Sequence, residues 1–366
     1  NRGPMVCWAA DLVRSVVHIQ QGVPVVRDGV PAPDGAAPLD DNILKAEDGL
    51  VLDWRHDRAF HGEAGFAFFD IPVADHLRQW LISSVLWVSR EVGIPLPRLG
   101  YFPKGASAIA HLSLDTDGND PELAGFMLDR LKENGVRATW CNILPCYPRD
   151  SRVFERIREE GHEIAFHYDS GSDPRIGFRW NREEFLTQYH QVCRAAGVDR
   201  ILTNKNHYTR WEGGTEFFEW CVEVGVEIES TRGPSKPGTI GFPFGSCHPW
   251  FPLDRLGKRI GCLEFPFLTQ DPVVTVPACV TGDLHRAVRS VEGIAHFLFH
   301  PAHIRKPGVA EALSQVLTEG KSYGGEWWTA AEISAWERRR RAALADARKG
   351  DWSAATRTDT DWTGLE

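Results

Sequence analysis

No stretch of this 366-residue chain approaches the roughly 18–20 consecutive apolar residues that cross a bilayer, so no transmembrane helix is expected within it. The eight cysteines include no CxxC pair and no zinc-finger spacing. Neither a thioredoxin-like redox motif nor a structural zinc module is therefore expected. Cys193, Cys221 and Cys262 lie in apolar surroundings, as buried thiols do. Reduced, structural cysteines and a cytoplasmic compartment are the expectation. Basic charge is also in short supply: 41 Lys and Arg stand against 50 Asp and Glu, for a net charge of −9. That balance argues against a surface that coats nucleic acid. Asn1-Arg2-Gly3-Pro4-Met5 does not form a signal peptide. The chain does not open on Met, so a trimmed piece is expected, and export of the full product stays open.

What the chain does contain is ordinary for a globular protein, with 42% hydrophobic and 25% charged residues. Residues 1–104 are expected to form an N-terminal α/β appendage, the end of a preceding domain in larger proteins. In it, residues 28–48 are rich in Pro, Gly, Asp and Ala and read as a surface excursion. Residues 73–93 have helical periodicity, and Pro95, Pro97 and Pro103 read as a stiff linker. From 105 to 348, strands are expected at 108–114, 137–143, 163–167, 200–206, 225–229, 259–265 and 294–299. Helices are expected between them at 121–134, 151–160, 182–196, 215–224 and 283–291, then at 308–319 and 329–347. Such alternation argues for a parallel sheet covered by helices. Residues 349–366 form a polar tail with little to bury.

Two segments carry chemistry. In Leu112-Ser113-Leu114-Asp115-Thr116-Asp117-Gly118-Asn119 an apolar run ends in two carboxylates, which a continuing strand would point to one face. In Gly161-His162-Glu163-Ile164-Ala165-Phe166-His167-Tyr168-Asp169 an apolar strand ends in histidine instead. Asn142, His207, Glu229, Glu264 and His300 likewise close or follow their strands. Polar residues at the C-terminal end of nearly every strand are what a barrel active site requires.

Together these two segments resemble the polysaccharide deacetylase family, the metal-dependent deacetylases related to nodulation-factor and chitin deacetylases. That family's motifs are an aspartate pair before glycine and Gly-His-Glu-Ile-x-x-His. The resemblance spans about residues 105–340 and implies an α/β fold, a distorted (β/α)7 barrel. It implies a metal-dependent hydrolase that removes acetyl groups from an N-acetylated sugar or polysaccharide. Asp117 and His167 would then be ligands of a divalent metal, and Asp115 the catalytic base. Zinc is the ion expected of mixed O/N ligands, though cobalt, nickel or manganese suits similar groups. There are two departures. Thr116 separates the aspartates, and Gly171 stands where the common pattern has a second ligand histidine. His207 is expected to fill that gap, with Asp169 as a substitute that could equally orient a ligand or bind substrate.

His300, closing the apolar run from Ala295, fits the acid that protonates the leaving amine, with His303 as its rival. Either Glu264 or Asp271 would hold that histidine's tautomer. Arg232 would pair with Asp115 or bind substrate. Trp211, Tyr147, Trp250 and Phe251 are candidate rim aromatics for a sugar ring. His162 reads as packing, and His296 as a strand residue facing a helix. Two other readings stand beside the first: the same machinery acting on an O-acetyl ester or non-sugar amide, and a catalytically silent carbohydrate-binding or scaffold relative, which Gly171 favours.

Overall fold

A computed structural model describes residues 3–29, 31–37, 43–171, 180–349 and 360–363. After a hairpin of β1 (Ala59–His61) and β2 (Phe66–Phe68) and a strand β3 (Arg98–Pro103), a parallel series begins. It comprises β4 (Ala108–Asp115), β5 (Thr139–Asn142), β6 (Glu163–Tyr168), β7 (Thr203–Asn206) and β8 (Ile228–Glu229). The short β9 (Leu263–Glu264) and β10 (Thr269–Gln270) follow, and then β11 (Ile294–Phe299). Each strand from β4 to β9 pairs with the next, and β11 lies on the other side of β4. One segment closes the ring. Phe265 N–H bonds the Glu229 carbonyl of β8 at 2.8 Å, and Leu268 N–H bonds the His296 carbonyl of β11 at 2.9 Å. Pro266, between them, has no N–H to give, so this staff of the barrel splits into two short strands. β9 and β10 thus share one of seven positions, and the result is the distorted barrel that the strand count implies.

The period of two along β4 separates two environments. Ala110, Leu112 and Leu114 join an apolar core with Met127, Leu128 and Leu131 of α3 (Pro121–Asn134), while His111, Ser113 and Asp115 alternate to the barrel interior. Helix α3 starts where Asp120 accepts the Glu122 and Leu123 N–H groups ahead of Pro121, and it ends at Gly135 in the left-handed region. A second core packs Phe166 and Tyr168 of β6 on Phe185 and Tyr189 of a later helix, Arg182–Ala196, together with Trp211, Phe217 and Phe218.

The N-terminal segment docks on the barrel. It contributes two helices, Leu12–Gln21 and Val73–Glu91. Bridges join Val25 to Gly213, Lys45 to Arg210 and Phe69 to Gly241. Buried Asp75 accepts the Cys247 N–H and the Ser246 hydroxyl, both at 2.8 Å. The proline-bearing stretch expected as a linker holds β3, which pairs antiparallel with Thr360–Thr363. At the Phe69 bridge, Gly241 has φ +87°, and a Cβ there would lie 2.0 Å from the Phe69 carbonyl oxygen. Gly241→Ala should therefore destabilise the protein by about 2 kcal/mol or more in denaturant unfolding. An unchanged midpoint would mean that this junction relaxes freely.

Candidate metal centre and active site

Strand ends deliver the site. β4 stops at Asp115, and the chain turns at once through Gly118 and Asn119, both with positive φ. Asp117 therefore sits on a turn, not on a continuing strand. It still faces the same point as Asp115. Its Oδ1 lies 3.4 Å from His167 Nε2, and its Oδ2 lies 3.4 Å from His207 Nε2. Asp115 Oδ2 lies 3.7 Å from the same His167 nitrogen. His207 follows β7 in a tight turn where Tyr208 and Thr209 both adopt left-handed backbone angles. Its other nitrogen, Nδ1, is 3.3 Å from Asp169 Oδ1, and that oxygen also accepts the Gly171 N–H.

His167 Nδ1 lies 2.9 Å from the Lys205 carbonyl, which can only accept, so Nδ1 carries the proton. In the neutral ring the Nε2 lone pair then faces the Asp117 carboxylate with no proton between them. His167 Nε2, Asp117 Oδ1 and Asp115 Oδ1 are buried atoms without a hydrogen-bond partner. Asp117, His167 and His207 offer one ligand atom each, all within 4.8 Å of one another. Two imidazoles and a carboxylate converging this way, with His167 Nε2 and Asp117 Oδ1 unsatisfied, fit a divalent cation. Burial works against the charge of Asp117, but the protonated His207 that faces it holds its carboxyl below the usual range. Burial would also lower His207, yet hydrogen bonds to Asp117 and Asp169 carry it up to about 9.

On the opposite side stands His300. Its Nε2 is 3.8 Å from Asp117 Oδ2, and its Nδ1 contacts Asp271 Oδ2 at 2.5 Å. Asp271 also accepts the His300 N–H and His303 Nδ1, each at 2.8 Å. Burial opposes the protonated ring, but the Asp271 charge and hydrogen bond raise His300 to about 9. Burial likewise raises the Asp271 carboxyl, and His300 outweighs it, bringing it to about 2.

No family model and no curated protein matches this chain. Solved structures do. The fold is similar to a Puue allantoinase (15% identical over 66% of this chain and 93% of that chain, TM-score 0.49). It is similar to the peptidoglycan deacetylase PdaC from Bacillus subtilis (15%, 68% and 98%, TM-score 0.41). It is also similar to a family 4 acetyl xylan esterase from Clostridium thermocellum in complex with a cobalt ion (18%, 62% and 89%, TM-score 0.38). At these identities the likeness is one of fold.

Of the expected residues, Asp115, Asp117, His167, Asp169, His207, Asp271 and His300 come together. Between Glu264 and Asp271, it is Asp271 that reaches the histidine. Glu264 and Arg232 lie elsewhere: Arg232 Nε is 3.5 Å from Glu264 Oε2, and its NH1 donates to the Gln21 carbonyl at 3.0 Å. The Arg232 guanidinium also stacks on Trp211 at 4.6 Å. Trp211 is not a rim aromatic: it is fully buried, with its indole N–H on the Gly214 carbonyl. Tyr147 and Trp250 are buried too. The cation beside Asp115 is not Arg232 but Lys205, whose Nζ lies 3.8 Å from Asp115 Oδ1. Lys205 escaped the sequence reading, although a lysine in the middle of a strand so close to His207 was a usable signal. His296 faces the barrel interior, stacked on Phe265, and not a helix. His162 is buried and accepts the Ala138 N–H.

Arg232 is buried among Glu264, Trp211 and Phe244, so its role here is to hold structure. Arg232→Met should lower stability by about 3 kcal/mol, because it removes the buried cation beside Glu264 and its hydrogen bond to the Gln21 carbonyl. A variant of wild-type stability that fails only in substrate affinity would reverse this assignment.

Proposed function

We propose that this protein is a metal-dependent hydrolase that removes acetyl groups from an N-acetylated sugar or polysaccharide. One observation carries the reading: the bare lone pairs of His167 Nε2 and Asp117 Oδ1 converge with His207 between a carboxylate, Asp115, and a protonated histidine, His300. That is a ligand set flanked by a base and an acid, the equipment of amide hydrolysis.

Asp117, His167 and His207 would hold the ion. A divalent ion bound there supplies Lewis acidity toward an acyl oxygen and lowers the pKa of water, to about 7 in favourable cases. The remaining work belongs to the chain. Asp115 is the base: it takes the proton of the attacking water, while Lys205 compensates its buried charge and keeps it in place. His300 is the acid: Nε2 gives its proton to the leaving nitrogen as the C–N bond breaks. Asp271 holds the opposite nitrogen, which sets the ring's orientation and supports its charged form. His303 shares the same Asp271 oxygen and stands on the solvent side of the pair. Asp169 sets the tautomer and tilt of His207.

The test is acetate release from N-acetylglucosamine oligomers. Purified protein should carry about one divalent ion per chain, lose activity to a chelator and regain it with zinc or cobalt. Asp117→Ala should remove both the metal and the activity. Turnover that ignores the chelator sinks the metal-dependent reading, whereas absence of both turnover and stoichiometric metal favours a silent carbohydrate-binding protein.

Base and acid are separable from the ligands. Asp115→Asn and His300→Ala should each keep the metal and lower kcat by about 100-fold or more. Variants that retain wild-type kcat would remove these two residues from the mechanism.

A further inference from the structure

Helix α2 (Val73–Glu91) is an unusual surface element. Only Ala74, Asp75 and Ser89 are fully buried, while Trp80 is 54% exposed, Val85 52% and Trp87 45%. Trp8 stacks on Trp80 with ring centroids 6.1 Å apart and an interplanar angle of 1°. Two grooves of about 460 and 450 Å³ flank Trp8 along the helix. Past the helix end, Val92 and Ile94 are also exposed. From Gln79 to Ser89 no residue is charged, in a chain whose net charge is −9.

The order of residues within this face identifies its occupant. Trp80-Leu81-Ile82-Ser83 is followed by Ser84-Val85-Leu86-Trp87. Read from the Ser83–Ser84 midpoint, the two halves match outward: serine, β-branched aliphatic, leucine, tryptophan. Trp80, Ser83, Ser84 and Trp87 follow the three–four spacing of one helical face and line one groove together. A two-fold axis through that midpoint would run two copies of α2 antiparallel. It would set Trp80 against Trp87 of the second copy, with small serines where the helices approach. The same register sets His76 opposite Glu91 of the second copy.

We infer that α2 is the isologous contact of a homodimer, with its axis between Ser83 and Ser84. The uncovered parts of Trp8, Trp80, Val85, Trp87, Val92 and Ile94 come to on the order of 650 Å², most of the roughly 800 Å² that one partner brings to a standard interface. A tryptophan-rich centre without charge is the composition of an interface core. It is also where two copies of net charge −9 can meet without bringing like charges into contact. The inference does not depend on the proposed reaction, since none of these residues belongs to the candidate site.

Sedimentation velocity at about 20 μM should give twice the mass of one chain. Trp87→Glu and Ser84→Arg should each raise the dissociation constant by about 100-fold or more, with the far-UV circular dichroism unchanged. Trp80→Lys alone should do the same. The Trp80→Lys/Trp87→Glu double variant should regain association, because each new charge meets its opposite across the axis. A wild-type protein monomeric at about 100 μM overturns the inference. So does a dimer indifferent to all three single substitutions, and so does a monomer that uses this face to bind phosphatidylcholine vesicles.

Discussion

One register contact, His167 against Lys205 in the parallel pair β6–β7, sets both halves of the candidate site. The Lys205 carbonyl holds His167 Nδ1–H, which turns the Nε2 lone pair toward Asp117. The Lys205 side chain crosses the barrel to Asp115. Backbone and side chain of one residue thus orient the proposed ligand and compensate the proposed base. A slip of one residue between these strands would reverse which side chains face inward and lose both. Among the described residues, this level of the interior is filled largely by polar groups that fix one another, beside Phe267.

That interior is a directed hydrogen-bond string. His296 Nδ1 faces the Pro266 carbonyl, so its Nε2 is free to accept from Ser113 Oγ at 2.9 Å. Ser113 Oγ in turn accepts from Lys205 Nζ at 2.6 Å. The Lys205 ammonium also lies 4.5 Å from the centre of the Phe267 ring. Burial pushes His296 well below the usual histidine range, with the His111 and Lys205 neighbours adding to it, so the ring stays neutral and keeps its acceptor. This string is tolerated because His296, Ser113 and Lys205 are each paired. The hydrophobic contribution comes instead from the layer between strands and helices, where Leu112, Leu114, Phe297 and Phe299 meet Met127, Leu131 and Val316.

Much of this was legible in the sequence, and the reasons differ by residue. The seven barrel positions were readable because strand, helix and turn signals alternate at short range. Asp120, Pro121 and Gly135 bound α3 where a cap, a first-turn proline and a left-handed glycine predict it. Asp115, Asp117, His167 and His300 were readable because each ends an apolar run. Lys205, Arg232 and Trp211 were not, because their meaning depends on which neighbour lies across the barrel, and residue type says nothing about that. An arginine with two carboxylates nearby in sequence looks like a site residue. Only the fold shows that Trp211 and Phe244 enclose it. The closing position was expected as one strand at 259–265, and its second half, β10 beyond Pro266, was missed because its pairing with β11 shows only in the fold.

The glycine at position 171 was the main argument for a silent relative, and the geometry weakens it. In a parallel barrel, neighbouring strands lie about 4.8 Å apart, and all of them end at the same mouth. A side chain a few residues into the loop after β6 and one just past the end of β7 can therefore reach the same point. His207 does so: its Nε2 belongs to the same cluster of ligand atoms as His167 Nε2. Gly171 then has a different use. It adopts φ +88°, and its N–H goes to Asp169, whose oxygen also faces His207 Nδ1. A histidine there would have to adopt the left-handed conformation to keep that hydrogen bond. Gly171 thus shapes the turn that holds Asp169 against His207, the proposed third ligand.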